Sequence, residues 1–449
     1  MKKSIHIIYL QALLFPFMGC SEFLDAKPDK NLVIPSKTED LQALLENVNV
    51  FNSTPALELV ASDEYFNTNE GWLSYGSNMV QQAHIRNFDQ MFEGVVTVVE
   101  WQRPYQQIYY ANTCLEKAEQ IKASNQAEQV ALNNVIGSAK FKRAFAFFNL
   151  IKAFGAQYDP ATSQSAVGIP LPLKADVTKI QPFSSVEATY GQILKDLNEC
   201  IELLPDLPKY KTRPSKAAAH ALLARIYLSM CDFEKARNHA QQGLKIQSDL
   251  LDFNSLSPGN SFPVPRANKE VVYHAEMVNY AGFSINQQTR IDTVLYNSYQ
   301  TDDLRKTIYF VRRNTGAINF RGSYNGNSSL FAGLTVSEML LIRAECNARL
   351  GNLSEAVLDL STLLRSRYKT NKSESIPLSG KEMLIVKIME ERKKELVFKG
   401  LRWNDIKRLT RLGEGPTVLE RRLNGEVIRT EMNPTNLVFP IPLEEITNR

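Results

Sequence analysis

Two stretches of this chain repeat one pattern, and that pattern limits the fold more than any other feature. Residues 216–246 read KAAAHALLARIYLSMCDFEKARNHAQQGLKI, and residues 335–367 read TVSEMLLIRAECNARLGNLSEAVLDLSTLLRSR. In the first, Leu223, Ala224, Tyr227, Ala236, Ala240 and Gly243 recur at helical spacing on both sides of a break near Cys231 and Asp232. In the second, Ala344, Gly351, Ala356 and Leu363 hold the corresponding places. Two antiparallel helices cross closely only where their side chains are small, so each stretch predicts a helical hairpin. Such hairpins cannot bury their own apolar faces and must stack on neighbours.

The spacing is that of tetratricopeptide repeats, and other helices join the two copies. Residues 37–49, 102–122 and 138–154 read as amphipathic, with Phe141, Phe145, Phe148 and Ile151 on one buried face of the last. A further helix starts at Ser184 or Ser185 as a cap, with Glu187 in its first turn, carries Ile193, Leu197, Cys200 and Leu204 as a stripe, and stops by Pro205. Between the helices lie irregular segments: 52–100, 156–182 with VGIPLPL, and a loop-rich insertion at 248–330. That insertion is too long for a simple linker. The expected architecture is therefore mostly α, with helical hairpins as scaffold and irregular segments mounted on it, where binding usually resides.

The chain begins MKKSIHIIYLQALLFPFMGCSEFLDAKP. A positive start and a short apolar run are the layout of a secretory signal peptide over 1–19, too short for a confident membrane span. Cys20 follows Gly19 and opens the polar, partly acidic chain that the signal would leave behind, as one domain over 20–449. The other cysteines, Cys114, Cys200, Cys231 and Cys346, read as buried thiols, although spacing leaves disulfides open.

Formal net charge is +4, and Lys2 and Lys3 supply half of it. No basic field for nucleic acid remains after them. No nucleophile elbow, phosphate loop or histidine cluster for a metal is present, and no pair among the 48 acidic residues stands out as catalytic. The reading is a binding protein without cofactor or metal. In EERKKELVFKGLRWNDIKRLTR, 390–411, Glu391, Arg392, Lys393 and Glu395 are expected to tie helices together rather than to catalyse.

In order along the chain, CSEFLDAKP, YYANTCLEKAE, GSAKFKRAFAFFNLIKAFG, VGIPL, RPSKAAAHALLARIYL, EMLLIRAECNARLGNLSEAV, ERKKELVFKGLRWNDIKRL and FPIPLEEI resemble the SusD/RagB family of nutrient-binding lipoproteins of Bacteroidetes. The resemblance implies a SusD-like fold, lipid attachment at Cys20, and a place on the outer face of the outer membrane. It also implies a TonB-dependent (SusC-like) transporter as partner and oligosaccharides, or in some members peptides, as ligand. A protein-interaction scaffold and a glycoside hydrolase are the less favoured alternatives. The family's ligand residues cannot be registered motif by motif here. Candidates come instead from two aromatic, amide-rich segments: Asp63, Trp72, Tyr75 and Asn78 in 62–78, and Tyr280, Phe283, Arg321 and Tyr324 in the insertion. Sugar rings stack their C–H faces on aromatic rings while polar side chains hold the hydroxyls.

Overall fold

Ser185, Ser215 and Thr335 each accept a hydrogen bond from the backbone N–H three residues on, and a helix starts after each. In a computed structural model that describes residues 35–95, 97–280, 287–372, 376 and 380–447, these are three of the main helices. In chain order the helices of eight or more residues are α1 (Thr38–Leu45), α2 (Asn78–Ile85), α3 (Val99–Ala118), α4 (Gln126–Phe154), α5 (Val186–Ile201) and α6 (Lys216–Ser229). They continue with α7 (Phe233–Ile246), α8 (Val336–Arg349), α9 (Leu353–Arg365), α10 (Lys381–Glu395) and α11 (Arg402–Arg411).

Both repeat stretches are hairpins, α6–α7 and α8–α9. Their turns share one geometry. Cys231 at φ 62° and Gly351 at φ 87° reverse the chain, a conformation that glycine adopts without steric cost and cysteine does not. The next residue in the first copy, Asp232, then caps α7 by accepting the Lys235 N–H at 3.1 Å. Helix packing is continuous: α3 lies on α4, α4 on α5, α7 on α8, and α8 on both α9 and α10. Residues Lys37–Arg449 make one compact unit, and none of its described helices is long and apolar enough to cross a membrane. Cys114, Cys200, Cys231 and Cys346 are all free thiols.

Two features go beyond the sequence reading. Helix α4 begins at Gln126, not 138, because Asn125 caps it by accepting the Glu128 N–H at 3.0 Å. Its first turns face solvent and lack the apolar stripe that marks the rest. Val418–Leu423 and Glu426–Glu431 form an antiparallel hairpin around Asn424-Gly425, both at positive φ, the signature of a tight two-residue turn.

The irregular segments are stitched into one layer by short strand pairs. Ser53–Thr54 runs parallel to Glu276–Met277. Tyr65–Asn67 pairs with Thr289–Ile291, and Val271–Tyr273 pairs with Leu334–Thr335. The 52–100 stretch and the insertion are thus hydrogen-bonded to each other through residues more than two hundred positions apart in sequence.

Candidate ligand-binding region

Most of the side chains singled out in the sequence hold this layer together. Tyr324 is fully buried. Its hydroxyl donates to Glu270 at 3.1 Å, and the Lys399 ammonium lies 4.0 Å from its ring centre. Tyr75 is buried in a cluster with Tyr65 (3.2 Å between hydroxyls), Asn67 and, through Tyr65, His84. Neither ring offers a face to a ligand, which corrects the expectation for both. Arg321 is a clamp between loops: its guanidinium donates to the carbonyls of Asn260, Pro258 and Thr307 at 3.0, 2.7 and 2.7 Å.

Asp63 is also committed. Arg402 grips it with two bonds, 2.7 and 2.9 Å, and Lys393 adds a third at 2.9 Å. Burial alone would raise its pKa, but Arg402 and Lys393 outweigh burial and hold the carboxyl well below the usual range. Asn78 donates to the carbonyls of Gln90 and Glu93 at 3.0 and 3.1 Å, which closes the 78–93 loop. The Tyr280 hydroxyl donates to Glu100. Burial pushes Glu100 up to about 7. Phe283 and Cys20 lie outside the described residues.

Trp72 differs. It is half-buried on the short helix Asn69–Leu73, which Thr68 caps. Its indole N–H donates to the Gln81 carbonyl at 3.0 Å, which fixes the plane of the ring. Leu73 beside it is 62% exposed.

The structure adds a cleft that sequence reading missed. It encloses about 460 Å³ where the parallel strands Ser53–Thr54 and Glu276–Met277 meet the start of α3. Asn49, Asn52, Asn279 and Asn327 supply amides; Arg103, Arg266, Glu276 and His274 supply the charged and titratable groups. Asn52 is held from behind, its amide N–H group donating to the His274 carbonyl at 2.6 Å and to Thr212 O at 3.3 Å.

His274 is buried, and its Nε2 lies 2.7 Å from the Asn325 Oδ1. The Asn325 amide nitrogen is spent on Ser329 O at 2.8 Å, so Asn325 presents its oxygen and His274 Nε2 carries the proton. His274 Nδ1 is then an acceptor without a partner. Burial, then the Arg266 charge, lower the pKa of this imidazole, against opposing contributions from Asn325 and Glu276, so the ring is neutral near pH 7. Such a lining can both donate to and accept from hydroxyl groups. No group of three or more His, Cys, Asp or Glu side chains able to hold a metal occurs among the described residues.

A rigid stack of helical hairpins bearing an irregular layer with a polar cleft is the build of a binding protein. Comparison with known proteins gives its family. Residues 22–228 match a SusD-like model described as starch-binding and associating with the outer membrane, and residues 265–448 match the model of the SusD family. SusD-like protein P2 of Formosa agariphila is 24% identical over 507 residues, covering 96% of each chain. A SusD-like protein of Bacteroides ovatus is 22% identical over 372 residues, covering 76% of this chain and 59% of its own. Among solved structures, a SusD superfamily protein from Bacteroides vulgatus superposes with a TM-score of 0.74 at 19% identity, covering 92% of this chain and 97% of its own. Another protein of that organism, described as a putative sugar binding protein, gives 0.73 at 16% identity, with 92% and 97% covered. The chain belongs to the SusD/RagB family, whose members associate with the outer membrane.

Proposed function

We propose that this protein is a cell-surface lipoprotein that captures oligosaccharides without cleaving them and delivers them to a TonB-dependent transporter of the outer membrane. The lipid sits on Cys20, once residues 1–19 are removed. The cleft between Ser53–Thr54 and Glu276–Met277 is the capture site, and Trp72 is a separate stacking platform on the same irregular layer. One observation carries the reading most: four asparagines, together with Arg103, Arg266 and Glu276, line one open cleft. That lining suits sugar hydroxyls, each of which donates and accepts at once.

The testing experiment is a mild-detergent pull-down of tagged native protein from its own outer membrane, read by mass spectrometry. The expected recovery is one TonB-dependent transporter together with an acylated N-terminal peptide starting at Cys20. An unmodified Cys20 and no transporter would overturn the anchoring and the delivery role. Incubation with the captured oligosaccharide should return it intact, whereas shorter products would move the protein to the hydrolases.

A further inference from the structure

The cleft holds more positive charge than a neutral sugar needs. Its charged lining is Arg103, Arg266 and Glu276. Arg266 and Glu276 pair at 3.3 Å. Arg103 has no carboxylate within ion-pair distance among the described residues; its guanidinium donates to the neutral Gln106 side chain at 3.0 Å. The acid one turn earlier on the same helix, Glu100, faces elsewhere. Its oxygens accept the Ala56 and Leu57 N–H groups at 3.0 and 3.1 Å and the Tyr280 hydroxyl. Arg103 is also half-buried, in a concave site whose walls concentrate its field.

From this we infer that the cleft selects oligosaccharides bearing an anionic substituent, which Arg103 binds. The planar fork of a guanidinium matches the two oxygens of a carboxylate or of a sulfate ester, so either uronic acid units or sulfated sugars satisfy the site. Arg266 borders the same anion and is already paired with Glu276, so it orients rather than dominates. The asparagines take the hydroxyls of the same sugar unit. This inference rests on the capture role proposed above and adds the class of ligand to it.

The test is binding of the full chain to a panel of neutral, uronate-bearing and sulfate-bearing oligosaccharides, followed by titration calorimetry of the wild type and of Arg103→Gln with the strongest binder of each class. The expected result is at least about tenfold tighter binding of an anionic class than of the neutral one, a gap that Arg103→Gln closes. The anionic binding should weaken as salt rises, and the neutral binding should not. Which anionic class wins separates carboxylate from sulfate. Equal affinity for neutral and anionic sugars, or a preference that survives Arg103→Gln, overturns the anion inference and leaves the capture role standing. Failure of all three classes, with or without binding of acidic peptides, overturns both. Arg103 is partly solvent-facing, and unchanged circular dichroism of the variant controls for folding.

Discussion

Arg367 and Glu395 meet through paired bonds in the interior: Nε donates to one carboxylate oxygen at 2.9 Å and Nη2 to the other at 2.8 Å. Both side chains are fully buried. Arg367 also binds Glu270 at 2.8 Å and the Leu251 carbonyl at 2.8 Å. Arg305 reaches Glu391 at 2.6 Å and Asp303 at 2.8 Å beside it. One ionic cluster therefore joins α10, the end of α9 and the insertion.

Removing one charge from that cluster leaves others buried and uncompensated. Glu395→Gln should lower stability by about 3–5 kcal/mol in urea unfolding. Burial raises the pKa of Glu395, but Arg367 and Lys399 outweigh it and hold the group at about 2. A carboxyl depressed in the folded state contributes stability above its unfolded value near 4.5, and loses it as pH falls toward 2. The variant's acid-limb slope over that window should therefore be shallower than the wild type's. A loss under about 1 kcal/mol would mean that the cluster relaxes without Glu395.

Glu64 carries the opposite sign. It accepts the Phe398 N–H at 3.1 Å and the Ser62 hydroxyl at 3.2 Å. Burial, then the neighbouring Asp63 charge, push it up to about 8. A carboxyl raised in the folded state favours folding fully below its unfolded value near 4.5 and loses that contribution as pH rises to 8. Across this window its contribution should fall by about 1.4 kcal/mol per pH unit at most. Glu64→Gln keeps the acceptor and cannot ionise, so the difference between the variant and wild type should grow in the variant's favour from pH 5 to pH 8. Parallel stability curves would show that Glu64 stays ionised.

Of the two aromatic candidates in the first segment, Trp72 and Tyr75, only Trp72 is partly exposed. Its N–H bond to Gln81 holds the ring in place. Trp72→Ala should weaken oligosaccharide binding about five- to tenfold, the size of a single stacking contact, while the helical circular dichroism stays the same. Trp72→Phe should retain most of the affinity. Equal affinity in the alanine variant would remove Trp72 from the ligand surface.

What could be read from the sequence follows the range of the interactions involved. The α6–α7 and α8–α9 hairpins were legible because each is specified within about 34 residues, by small residues at helical spacing and a break. The start of α4 was not, because a solvent-facing helical turn carries no apolar period. The site was hardest. Aromatic content marked Tyr75 and Tyr324 as surface candidates, yet Tyr324 is buried by partners at Glu270 and Lys399, 54 and 75 positions away. The cleft is more distributed still. Asn52 and His274 are 222 positions apart, and no local motif joins them.

Stacking of one repeat on the next runs through Gly243 in α7. A Cβ placed there would lie 2.5 Å from the Met339 sulfur on α8 and 3.5 Å from the His220 Cβ on α6. The glycine thus sits where three helices converge, and the size of the replacement decides the outcome. Gly243→Ala adds one methyl against the end of a flexible thioether, which can swing aside, and it gains about 1 kcal/mol of helix propensity. The net change should stay within about 1 kcal/mol of wild type. Gly243→Leu has no such escape, because the added branches would meet α6 as well as Met339. It should cost about 1–3 kcal/mol as overpacking, and Met339→Ala in the same chain should return part of that loss by opening the space. Thermal unfolding of the three variants decides the matter. If Gly243→Leu matches the wild type, or Met339→Ala brings nothing back, the α7–α8 contact does not set the spacing of the hairpins.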